Sequence, residues 1–219
     1  MKRKINALLF SGFLLLFLNG CKEESDCTSN TDGRTSFKVK FTQGQLAKEY
    51  PTLKLAKDKF TTFDSNAISG KIADSALIIA SKIFNSPEFK QKLSELDFRY
   101  DNHCSDCGHQ SSNRDERIPG AEVLDSLFKR QNVILELIIN NGRCRGALGS
   151  TCPQSSVINS NFKAIKCDMG NLPIEYAYAV HICHEYMHIV GYCHTNHKDD
   201  VAEEVGWIAY YIVLDWLKP

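Results

Sequence analysis

Apolar residues recur along this chain in two periods. Ile68, Ile72, Ala76, Ile79 and Ile83 are spaced by three and four, the repeat of one helix face. They predict a helix over 65–83 with Asp64 or Ser65 as its N-cap. Pro87 suits the first turn of a second helix, with Ser86 as cap and Phe89, Leu93 and Leu96 on one side. Further helices are expected over 121–130, from Pro173 to about Val190, and from Asp199 to Leu217. In the last of these Val201, Val205, Ile208 and Ile212 form the apolar stripe. Strict alternation at Phe37-Lys38-Val39-Lys40-Phe41 predicts the strand where folded structure begins. The β-branched run Val133 to Ile139 suits a buried strand, and Asn161 to Lys166 is read as another. Residues 101–120 read as a long polar loop, 140–160 as loop or edge strand, and Lys54 to Lys59 as a charged, solvated stretch. There is no internal repeat. Helices outnumber strands, and the order predicts an α+β domain whose mixed sheet is covered by helices.

The N-terminus follows a different pattern. Lys2, Arg3 and Lys4 precede the apolar run Ile5 to Leu18, which at about 14 residues is too short to span a bilayer as a helix. It reads as a signal peptide over 1–20. Leu18-Asn19-Gly20-Cys21 resembles a lipobox, with Cys21 as the lipidated residue. Lys22-Glu23-Glu24 resembles the export signal of certain surface lipoproteins. The polar residues that follow give a flexible tether over 21–36, leaving 37–219 as the folded domain. These resemblances imply a bacterial outer-membrane lipoprotein facing the periplasm or the cell surface, held to the membrane by its lipid.

Charge changes the picture little. Formal charge is balanced at 26 basic and 26 acidic residues, and loss of the three basic leader residues leaves a slightly acidic chain. No basic stripe calls for nucleic acid. Eight cysteines remain after Cys21: 27, 104, 107, 144, 152, 167, 183 and 193. Outside the cytoplasm an even number favours disulfides. Cys144 and Cys152, flanking a short Gly-rich loop, are the expected pair, and Cys183 and Cys193 are read as structural bridges.

The chemistry lies in His184-Glu185-Tyr186-Met187-His188-Ile189-Val190-Gly191-Tyr192-Cys193-His194. On a helix, positions 184 and 188 differ by about 40° and share a face. Two imidazoles so placed can grip one Zn²⁺, and the intervening Glu185 reaches water on the ion. A continuous helix would carry His194 about 15 Å along the axis from His184, out of reach of the same ion. A helix that ends at Gly191, using the positive φ open to glycine, lets the chain return His194 as third ligand.

This eleven-residue segment resembles the metzincin metallopeptidases. The resemblance implies a zincin-like domain with an active-site helix and a C-terminal helix. It implies one catalytic zinc on His184, His188 and His194, with Glu185 as general base. Metzincins carry a methionine turn downstream of the third histidine, and here no methionine follows His194. That departure leaves open a rival third ligand: Glu204, about 60° from Val201 at the flank of the buried stripe, in the manner of gluzincins. Glu203 points roughly opposite.

The function implied is a zinc-dependent peptidase, an endopeptidase acting on proteins or peptides at the bacterial envelope. The alternative is a zinc-binding surface lipoprotein without turnover. Zinc binding does not require Glu185, so its presence argues for catalysis. Tyr192, Tyr210 and Tyr211 are candidates to assist, and Trp207, Tyr211 and Trp216 read as packing residues. His103-Cys104-Ser105-Asp106-Cys107-Gly108-His109 suits disulfides better than a second zinc. His181 reads as a helix-surface histidine, and His197 lacks the motif spacing.

Overall fold

In a computed structural model, which describes residues 48–63, 68–99, 117–140, 142–144, 146–194 and 200–219, the β-branched run forms the central strand. The leader, Cys21, the tether, the strand at 37–41 and Cys27 lie outside the described residues. So do Asp64, Ser65, the cluster from His103 to His109, and His197.

The element order is β1 (Lys54–Thr62), α1 (Gly70–Asn85), α2 (Pro87–Ser94), β2 (Asp97–Arg99), β3 (Arg117–Pro119) and α3 (Gly120–Leu127). It continues with β4 (Asn132–Asn140), β5 (Gly149–Ser150), β6 (Val157–Asn161), α4 (Phe162–Asp168), α5 (Ile174–Val190) and α6 (Val201–Trp216). The main sheet runs β1-β4-β6-β5, and β2 and β3 form a separate antiparallel pair. β1, β4 and β6 are parallel and β5 is antiparallel to β6, so the sheet is mixed and the fold is α+β.

The β-branched run of β4 suits burial throughout, but the strand is buried on one face only. Val133, Leu135, Leu137 and Ile139 are buried, whereas Ile134 is 61% exposed. The helices α1 and α5 pack on each other and so occupy the same side. A strand covered on one side alternates, even within a β-branched run.

Several local readings also need correction. Lys54 to Lys59 is not a solvated stretch but the first part of β1, paired in parallel with β4. Its charges suit an edge strand, where the outer face and outer backbone meet water. Lys57 reaches Asp74 of α1, and Lys59 pairs with Glu136 of β4 at 2.7 Å. α1 begins after Ser69, whose hydroxyl accepts from the Ile72 amide, so neither Asp64 nor Ser65 is the cap. Ile68 is still buried, because an apolar residue just before the cap packs on the same core as the helix face. Asn161 to Lys166 is not a strand. Asn161 ends β6, and its side chain caps α4 by accepting from the Ala164 amide. Residues 117–119, read as loop, form β3.

The remaining helices follow the sequence closely. Ser86 caps α2 through the Phe89 amide, with Phe89 and Leu93 buried. Polar groups of α1 also dock β1: Asn85 donates to the Leu53 carbonyl and accepts from its amide, and Ser81 accepts from the Leu55 amide. No helix among the described residues is long and apolar enough to cross a membrane.

Gly120 opens α3 where it touches α2, and a Cβ there would fall 1.7 Å from the Leu93 carbonyl oxygen. Substituting Gly120→Ala should therefore force the two helices apart. It is expected to cost about 3 kcal/mol, the upper end of overpacking effects, read as a lowered urea midpoint.

Candidate metal centre

Helix α5 supplies the first part of the site. Pro173 precedes its first turn, and the helix is buried around most of its circumference from Ala177 to Ile189. It stops at Gly191, which has φ 115°, a left-handed conformation that costs a residue with a Cβ about 1–2 kcal/mol. The Gly191 and Tyr192 amides both donate to the Met187 carbonyl, closing the helix end. Tyr192 is buried beyond the turn and anchors it.

That turn has a second consequence. The Tyr192 carbonyl now lies 2.6 Å from His188 Nδ1, and because a carbonyl only accepts, Nδ1 carries the proton. His188 Nε2 is left as its ligating atom. The chain continues back to His194, whose Nδ1 donates to Asp200 Oδ2 at 3.0 Å. The other Asp200 oxygen caps α6 by accepting from the Glu203 amide. One carboxylate thus starts a helix and fixes a histidine, an outer partner of the kind that orients metal ligands.

His184, His188 and His194 come together as the sequence predicts. Their rings stand 4.6–5.1 Å apart between centroids. Their potential ligand atoms all lie within 4.8 Å of one another, so the three can hold a metal ion. Glu204 is not part of that group. His188 is buried, His184 is partly buried against Gly206 of α6, and the His194 side chain is 45% exposed, so the cluster opens to solvent on that side. Burial, followed by the neighbouring histidines, holds the His184 pKa well below its ordinary value. The Asp200 hydrogen bond raises that of His194.

Glu185 sits between the first two histidines, buried, with its Oε2 lacking a hydrogen-bond partner among the described residues. Burial pushes its pKa up to about 8. Glu203 is exposed, as helix arithmetic predicts, yet its carboxylate comes within 3.9 Å of His194 Nδ1.

His181 is not on the helix surface. It is 1% exposed, its Nε2 lies 3.1 Å from Ser160 Oγ, and its Nδ1 lies 3.7 Å from Glu185 Oε1. The surface reading fails because α5 runs through the core with no solvent-facing stripe at this point. The signal in the sequence is the spacing of four between His181 and Glu185, which puts both on one face.

Two cysteine readings change. Cys144 pairs with Cys167 of α4, not with Cys152, across a Cα separation of 5.7 Å. α4 folds back from β6 over the loop, where the Asn161 amide also gathers the Arg143 and Ala147 carbonyls. Cys183 is no bridge but a buried free thiol, its pKa pushed well up by burial. Cys193, next to the third histidine, is disulfide-bonded as expected, and so is Cys152. Of the tyrosines, Tyr192 is turned toward Ser126, Tyr210 accepts from Asn171 at 2.7 Å, and Tyr211 stacks on Trp207.

Compared with family models, with curated proteins and with solved structures, the chain matches none.

Two outcomes test this geometry. In calorimetric titration with zinc, His194→Ala should weaken binding by about 100-fold or more, and Glu204→Ala should not. The reverse result would remove His194 from the ligand set. The second test concerns acid stability. Burial lowers the His181 pKa from 6.5 to about 3. Below pH 6.5 the unfolded chain binds a proton that the folded chain refuses, so stability falls as pH drops through that window. With chelator present, the urea midpoint of His181→Asn should depend less steeply on pH between about 6.5 and 4.5 than that of wild type.

Proposed function

We propose that this chain is a zinc peptidase that hydrolyses peptide bonds in proteins or peptides, and an endopeptidase held at a bacterial envelope by the lipid on Cys21. One observation carries the reading: a buried carboxylate with an unpartnered oxygen lies on the same turn of helix as two of three converging imidazoles.

The residues suit zinc. Three neutral imidazole nitrogens are a donor set this borderline ion accepts, and three ligands leave a position open. His184, His188 and His194 would hold it, with the Tyr192 carbonyl and Asp200 fixing the tautomers of the last two. When bound, zinc supplies Lewis acidity, which acidifies water and polarises a carbonyl. The chain's own part falls to Glu185. Its carboxylate takes the proton from the attacking water and returns it to the leaving amine nitrogen. A raised pKa, near working pH, suits a group that must both accept and release a proton.

The peptide reading also draws on a strand near the site. β5 ends the main sheet in its order β1-β4-β6-β5 and packs against the His181 ring, one turn of α5 before Glu185. An extended peptide can add to such a strand through backbone hydrogen bonds, which places its carbonyls beside the site. The metzincin resemblance supports the same reading through its eleven residues, and the missing downstream methionine sets this chain apart from that pattern. The envelope assignment rests on the leader and the Leu18 to Cys21 segment alone.

Metal storage without turnover is the alternative, and Glu185 separates the two. Glu185→Gln should leave zinc affinity within about threefold while lowering hydrolysis of fluorescent casein by about 100-fold or more. Full casein hydrolysis by this variant would remove Glu185 as the base.

A further inference from the structure

The proposed mechanism leaves the buried His181, beside its base, without a task. His181 and Glu185 are four residues apart on α5, with side chains 0% and 3% exposed. Among the described residues His181 Nδ1 has no hydrogen-bond partner, and neither has Glu185 Oε2. We propose that His181 is a positioning residue for Glu185: its Nδ1–H holds Oε1 and so leaves the other carboxylate oxygen free to face the reacting water. This inference rests on the peptidase reading.

The imidazole is pinned from three directions. Its Nε2 meets Ser160 Oγ of β6 at 3.1 Å. Its ring stacks on Tyr178, one turn earlier on α5, at 6.1 Å between centroids. On the third side lies Gly149 of β5, where a Cβ would fall 2.5 Å from His181 Cε1, so only glycine leaves room for the ring. With Nε2 committed to Ser160, Nδ1 must face Glu185.

Proton inventory then sets the direction of the chain. A neutral imidazole carries one N–H, and Glu185 in the ionised form that a base requires only accepts. A histidine that serves Glu185 in that form therefore carries its proton on Nδ1, and the Ser160 hydroxyl donates to Nε2. The Tyr178 hydroxyl lies 3.5 Å from Ser160 Oγ, beyond ordinary O–H···O range. From Ser160 through His181 the donors then run one way, toward the carboxylate, and such chains strengthen each link. The 3.7 Å between Nδ1 and Oε1 is too long for a hydrogen bond as it stands. Catalytic hydrogen bonds commonly tighten only when substrate binds.

Two measurements test the proposal. In a long-range proton–nitrogen correlation spectrum of the zinc-loaded, ¹⁵N-labelled protein above pH 8, where Glu185 is ionised, His181 should appear as the neutral tautomer protonated at Nδ1. A proton on Nε2, or on both nitrogens, overturns the proposal whether or not the protein is a peptidase. In casein hydrolysis by zinc-loaded protein, His181→Leu should lower kcat by about 10- to 100-fold with KM within about twofold. Zinc affinity should stay within about threefold. His181→Asn, whose amide nitrogen takes the place of Nδ1, should recover kcat to within about threefold of wild type. Activity of His181→Leu equal to wild type, or no recovery in a folded His181→Asn, overturns the positioning role. If wild type cleaves nothing while His181 carries its proton on Nδ1, the peptidase reading falls and the tautomer assignment stands.

Discussion

The left-handed turn at Gly191 is the constraint on which the site depends. It ends α5 one residue after Val190, and three results follow within a few residues of chain. The Tyr192 carbonyl is swung under His188 and fixes its tautomer. His194 is carried back beside the two histidines already on the helix. Asp200 is placed where one carboxylate both orients His194 and starts α6. A residue with a Cβ at position 191 would disfavour the turn by about as much as a good hydrogen bond contributes. The three candidate ligands are thus not independent choices but the outcome of one backbone reversal.

How legible the molecule is in its sequence depends on what each signal rests on. The reversal can be read because Gly191 stands midway between His188 and His194, where ending the helix is what lets the third imidazole return. The His184, His188 and His194 cluster forms as that spacing requires. Helices α1 and α6 are legible from apolar residues at three- and four-residue spacing, and β4 from its β-branched run. What fails are elements whose partners lie far away in sequence. β1 looks solvated because Lys54, Lys57 and Lys59 dominate it, and only its pairing with β4 reveals a strand. The Cys144–Cys167 pair depends on α4 folding back over a loop, which no local spacing encodes. His181 misleads for a related reason. The period of α5 is weak because nearly every face of it is buried, so no polar stripe marks which side a histidine takes.

Burying α5 so fully has a cost. The helix carries three histidines and a glutamate into or beside the core, at His181, His184, Glu185 and His188, where water solvates them poorly. Burial drives His181 and His184 toward their neutral form and Glu185 toward protonation. A neutral imidazole is also the form that binds a metal, so the same desolvation that weakens the fold in acid prepares the ligands. Stability is offset elsewhere, through the apolar face of β4 and the docking of α1 on β1.

Glu185 is the point at which a storage site and a catalytic one would part. A site selected only to hold an ion gains nothing from a buried carboxylate with an idle oxygen, which costs about 1–3 kcal/mol or more when left unpaired. An orphaned polar group that persists in a well-packed core points to a use that the resting structure does not display. For Glu185 the use we propose is proton transfer, since a carboxylate oxygen with no hydrogen-bond partner among the described residues can exchange a proton with whatever enters on the open His194 side.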